Sequence, residues 1–100
     1  MTGARPPEFL VRIHIALPPD LDDDRRAALE HDEHRVGEEL VRAGVIERIW
    51  RLPGQPANVG IWRAADATEL HRHLRSLPMW RWMHIEVTAL ATHPLEADAD

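Results

Sequence analysis

The chain has no cysteine, lysine or tyrosine, and its single serine is Ser76. Without cysteine there is no disulfide framework, and a cytoplasmic location is the expectation. The same absences narrow the chemistry. A lysine Schiff base, a cysteine nucleophile and a tyrosine acid are excluded. Ser76 sits in Arg75-Ser76-Leu77-Pro78, not in the glycine-flanked turn that exposes a nucleophilic serine. Proton transfer is left to Asp, Glu and seven His, and anion binding to twelve basic residues that are all Arg. No apolar run approaches the roughly 20 residues of a membrane span. The first residues lack the apolar core of a signal peptide. Net charge is −5, with acids gathered at 20–24, 30–39 and 96–100. No basic stripe interleaves with aromatics, so neither a nucleic-acid nor a membrane partner is expected.

What is present reads as one small domain of 100 residues. Residues 8–17 alternate, with Phe9, Val11, Ile13 and Ile15 on one face and Leu10, Arg12, His14 and Ala16 on the other. That is a half-buried strand, ended by Pro18-Pro19. The acids at 20–24 suit a helix N-terminus. The helix then runs to about Ala43, with Gly44 as its stop and Leu29, Val36, Leu40 and Ala43 as its apolar stripe. Residues 45–52 and 57–64 read as strands around a Pro53-Gly54-Gln55-Pro56 turn. Asp66, or else Thr68, caps a second helix over 67–77, with Leu70, Leu74 and Leu77 on one side, and Pro78 breaks it. Residues 82–90 alternate as a last strand, with Met83, Ile85 and Val87 facing one way.

The order βαββαβ predicts an α+β, ferredoxin-like fold: a four-stranded antiparallel sheet with both helices on one face. Residues 8–94 form the domain, 1–7 a flexible leader and 95–100 an acidic tail. The sheet face without helices carries Arg12 and His14 and invites a homodimer. A chain this small buries little core, so a ligand site shared with a second copy is a reasonable expectation.

Glu33 lies four residues after Leu29 and three before Val36, inside the apolar stripe. A carboxylate there is costly unless hydrogen-bonded or paired, and burial would raise its pKa toward the range of a general acid–base. The plainer reading is a structural contact, or a side chain that snorkels out at the helix edge. His31 and His34 face away from the stripe and read as a solvated polar face; no HExxH spacing exists, and no metal is expected. His71 and His73, two apart, diverge. His84 and Glu86 share one strand face, to line a cavity or meet solvent. Arg48 and Trp50 share a face, with Arg51 on the opposite one, and Arg is the usual fork for a carboxylate. Four Trp against one Phe is unusual for this length, and packing accounts for at least two of them.

Taken in order, several short stretches resemble the muconolactone Δ-isomerase family. They are Leu17-Pro18-Pro19-Asp20, Glu33, Trp50-Arg51-x-x-Gly54-x-x-Ala57-Asn58, Glu69-Leu70-His71, Leu77-Pro78, Met83-x-Ile85-Glu86-Val87 and His93-Pro94. The resemblance runs from about Phe9 to Pro94. It implies a dimeric α+β barrel subunit that often assembles further, into decamers. It also implies an enzyme without cofactor that moves a proton across a small unsaturated lactone. In aromatic-compound degradation that reaction turns muconolactone into 3-oxoadipate enol-lactone. Glu33, Arg51 and Asn58 match the family's pattern. On this reading Glu33 lines a cavity and shuttles the proton, with His34 or His84 as the alternate. Arg48 or Arg51 holds the substrate's acid group beside Trp50, and Asn58 steadies the enolate oxygen. The chain departs from the family's usual residues at His14, His34, Arg48, Ile49, Pro56, Val59 and His84. A relative tailoring a secondary metabolite, or a non-catalytic small-ligand binder, are the other readings.

Overall fold

A computed structural model of the chain describes residues 6–96. Its elements are β1 (Glu8–Ile15), α1 (Asp23–Arg42), β2 (Ile46–Arg51), β3 (Ala57–Arg63), α2 (Ala67–Arg75) and β4 (Met83–Leu90). A single 3₁₀ turn (Trp80–Trp82) precedes β4, so the last strand begins one residue later than its alternation predicts. The strands form one antiparallel sheet in the order β2-β3-β1-β4. Both helices pack on one face, the ferredoxin-like arrangement expected from the element order. Of the expected leader, residues 1–5 lie outside the described part; the Pro7 carbonyl accepts from the Ala64 N–H at 3.3 Å. Of the expected tail, 97–100 lie outside it, and Glu96 closes a turn on the His93 carbonyl at 2.8 Å.

Local chemistry sets the helix ends. Asp22 caps α1, its carboxylate accepting from the Arg25 N–H at 2.8 Å. Asp66 caps α2 in the same way on the Glu69 N–H at 2.8 Å, while the Glu69 carboxylate reaches back to the Ala65 N–H. These two side chains satisfy backbone donors that the first turn of a helix otherwise leaves unpaired. Past α1, Gly44 takes φ +79°, where a Cβ would be strained.

The core lies between the sheet and the helices. Val11, Ile13 and Trp62 are its fully buried side chains, joined by Phe9 from β1, Leu40 from α1, and Leu70, Leu74 and Leu77 from α2 and its exit. The parity predicted for β1 holds: Phe9, Val11 and Ile13 are buried, and Leu10, Arg12 and His14 are exposed on the open face. The long helix departs from its predicted stripe. Leu40 is its single buried residue, Leu29 and Val36 are half-buried, and Ala43 is the exposed C-cap. The N-terminal turns of α1 therefore leave space between helix and sheet.

One irregularity positions the site. Ile46 pairs with Trp62 but Arg48 pairs with Ile61, so Glu47 is an extra residue in β2. Such a bulge resets alternation. Ile46 faces the core with Trp62; past the bulge, Arg48 and Trp50 face the open side, and Ile49 and Arg51 face the helices. Gly60 permits this. A Cβ on it would meet the Arg48 carbonyl oxygen at 2.6 Å. Arg63 secures the bulged residue, donating to Glu47 at 2.7 Å.

Candidate active site

A cleft of about 850 Å³ opens where β1 ends, β2 ends and β3 begins, closed on its other side by α1. Its floor is Ile15, Ile49 and Ala57, with Pro56 and Met79 on the wall. The polar groups that face it are Arg26, Glu30, His34, Arg51 and Asn58; His14 and Trp50 border it at the strand ends, their side chains on the open face of the sheet, so Trp50 is not the substrate contact that the sequence suggested. Three of the polar groups come from α1 at a spacing of four. At about 100° per residue, Arg26, Glu30 and His34 share one face of the helix. Arg51 and Asn58 are directly opposite each other on β2 and β3, on the helix side of the sheet. The Asn58 Oδ1 is buried without a hydrogen-bond partner among the described residues.

Glu33 lies at the seam between this polar face and the buried stripe. It projects about 20° from Arg26 and about 60° from Glu30 around the helix axis. It is half-buried, and its Oε1 accepts from the Met79 N–H at 2.8 Å. Burial raises its pKa above the ordinary carboxylate range, and the bond from Met79 offsets part of that rise.

The predicted site residues divide accordingly. The structure brings His34, Arg51 and Asn58 to one cleft, with Trp50 at its border. The sequence led one to expect Glu33 to line a cavity; it is instead at the margin of this cleft, half-buried, its Oε1 accepting from the N–H of Met79, which does line it. The helix face read as merely solvated carries His34 into the cleft, though its ring stays open to solvent beside Glu38 at 3.5 Å. Arg48 is turned away on the open face, its guanidinium 4.8 Å from the Trp50 ring centre. His84 also lies on the open face, opposite His14 on β1 and 3.6 Å from Glu86, and does not reach the cleft within one chain. The sequence reading missed Arg26 and Glu30. Their spacing of four with His34 was the available signal. Among the described residues no three His, Asp or Glu side chains converge as a metal-binding group. No helix there is long and apolar enough to cross a membrane.

The family model described as muconolactone delta-isomerase matches residues 8–96. A muconolactone Delta-isomerase of Rhodococcus opacus is 39% identical over 85 residues, which are 85% of this chain and 91% of that protein. Muconolactone Delta-isomerase 2 of Acinetobacter lwoffii is 35% identical over 85 residues, 85% and 88% of the two chains. A crystal structure of muconolactone isomerase at 3.3 Å resolution superposes with a TM-score of 0.85 at 32% identity, covering 93% of this chain and 97% of that one.

Proposed function

The chain belongs to the muconolactone delta-isomerase family, and from that premise we propose that it isomerises muconolactone by proton transfer in the cleft beside Glu33. In muconolactone the ring C=C is conjugated with the lactone carbonyl. A base removes the proton from C4, the ring carbon that carries the carboxymethyl arm. The electron pair of that C–H bond moves through C3 and C2 onto the carbonyl oxygen, giving a dienolate. Protonation at C2 then leaves the C=C between C3 and C4, the enol-lactone. One proton leaves and one arrives, so the step is redox-neutral and calls for no electron carrier.

Glu33 is the group we assign to that proton. Its second carboxylate oxygen makes no hydrogen bond among the described residues, and partial burial makes it a better base than an exposed carboxylate. His34, in the cleft, is the alternate. Arg51 holds the substrate's carboxylate as a two-pronged donor. Asn58, beside it, supports the dienolate oxygen through its amide N–H.

The observation that carries this reading is a half-buried carboxylate of raised pKa next to a cleft that also holds Arg51 and Asn58. The test is proton NMR of muconolactone incubated with the purified protein. The C4 proton signal is expected to vanish while a methylene at C2 appears. A lactone unchanged after prolonged incubation with stoichiometric protein would overturn the assignment.

We further propose that the chain works as a homodimer or a larger assembly of dimers. Leu10, Trp50 and Leu90 are exposed large side chains on the helix-free face of the sheet, and a second copy would cover them. His84 and Arg48 would then lie in or beside that interface.

A further inference from the structure

Most of the chain's described arginines are engaged. Arg12, Arg35 and Arg63 donate to Gln55, Glu39 and the pair Glu8 and Glu47. Arg48, Arg75 and Arg81 lie over tryptophan rings. Of the described arginines that do neither, Arg26 and Arg51 are the two that line the large cleft. Arg51 arrives from the sheet, aimed there by the β2 bulge; Arg26 arrives from α1 on the facing wall. Arg26 is half-buried, whereas its neighbour Arg25 is exposed. A guanidinium partly removed from water without a partner is unfavourable, so its retention needs a ligand or a reason.

Glu30 is the obvious internal partner, one turn further along α1. The two form no ion pair, and a basic residue four positions before an acid is the weaker orientation on a helix. Among the arginine and carboxylate side chains that line the cleft, Arg26 and Arg51 stand against Glu30 alone, an excess of one positive charge. A single carboxylate balances it. A second one would stand uncompensated beside Glu30.

We infer that Arg26 and Arg51 clamp one substrate carboxylate from opposite walls of the cleft, with Glu30 restricting the site to lactones bearing a single acid group. The inference deepens the proposed isomerase reading and rests on it for the identity of the lactone. The carboxylate offers two oxygens, and each guanidinium can donate to both or share them, fixing the arm and so the distance of C4 from the base. Arg26 is a specificity residue in this scheme, and Glu30 acts through charge alone.

The experiment compares the full-length protein with Arg26→Gln and Glu30→Gln, each checked for native helix content by circular dichroism. Four probes are used: muconolactone, its methyl ester, the saturated lactone acid, which binds without reacting, and a diacid analogue of that saturated lactone. Arg26→Gln is expected to raise KM for muconolactone, and Kd for the saturated acid by calorimetry, about 10- to 100-fold, as for loss of a charge-assisted hydrogen bond. Its kcat for muconolactone should fall as C4 loses its fixed distance from the base, while its KM for the uncharged ester should stay within about two-fold. Glu30→Gln should move acid affinity the other way and admit the diacid analogue. The clamp is overturned if Arg26→Gln leaves acid affinity unchanged, if it weakens acid and ester alike, or if both variants weaken acid binding together as a broken ion pair would. Should the wild type fail to turn over muconolactone yet bind the saturated acid through Arg26, the isomerase reading fails and the clamp stands.

Discussion

At the scale of single residues, Glu33 carries most of the account. It was legible in the sequence because a charge inside an i, i+3, i+4 apolar stripe is conspicuous. Its hydrogen bond to Met79, 46 residues away, was not, since no local pattern encodes a contact that the packing of α1 against the end of α2 creates. Arg26 and Glu30 were missed for a related reason. A polar stripe with period four looks the same whether it faces water or a cleft. Burial raises the Glu33 pKa, so the folded state holds that proton more tightly than the unfolded chain does. Its contribution to stability is full when both states are protonated and is lost as pH rises through the raised pKa. Glu33→Gln should therefore match or exceed the wild-type melting temperature at neutral pH, because the amide oxygen still accepts from Met79. Glu33→Ala should lower stability by about 1–3 kcal/mol in chemical denaturation, since it leaves a buried N–H unpaired. If the Gln variant is the less stable of the two, Glu33 has a structural role that the hydrogen bond does not describe. The same titration governs rate: kcat should fall as pH drops through the raised pKa, and the Gln variant should lose that dependence.

Among the elements, caps and alternation were readable and the β2 bulge was not. Asp66 before α2 and the parity of β1 follow from side-chain chemistry that acts over a few residues. A bulge depends on the neighbouring strand, and the sequence marks it only by Gly60 on β3. The bulge lets Ile46 enter the core and Arg51 enter the cleft from one six-residue strand. Gly60→Ala would drive a methyl group into the Arg48 carbonyl oxygen, 2.6 Å from the ideal Cβ position. Overpacking of this kind costs about 1–3 kcal/mol. The expected result is a lower denaturation midpoint together with a higher KM for the acid substrate, because Arg51 loses its aim. An unchanged KM in a folded variant would separate the bulge from substrate binding. The long helix is the other element that departs from its pattern, being less buried than its apolar stripe predicts. Its stripe predicts continuous packing, but a single buried residue, Leu40, anchors it, and the cleft occupies the space that the N-terminal turns leave.

For the molecule as a whole, the order of elements was enough to predict the sheet and the side on which the helices lie, because βαββαβ connectivity with short turns leaves few alternatives. The cleft was not predictable as a shape; it arises where three strand ends and a standing-off helix meet. The helix-free sheet face yields a prediction at this scale. Light scattering at micromolar concentration should report a dimer or larger, and Leu10→Glu, a charge in the middle of that face, should shift it toward monomer. A wild-type monomer would contradict the proposed assembly. The central claim is that the Glu33 carboxylate moves the proton in this cleft. The most direct measurement is the turnover of muconolactone by wild type and Glu33→Gln under identical conditions. The account predicts measurable wild-type isomerisation, with kcat lower in the variant by about 10²–10⁴-fold, the size of a general acid–base contribution. Equal turnover by the two proteins would contradict it.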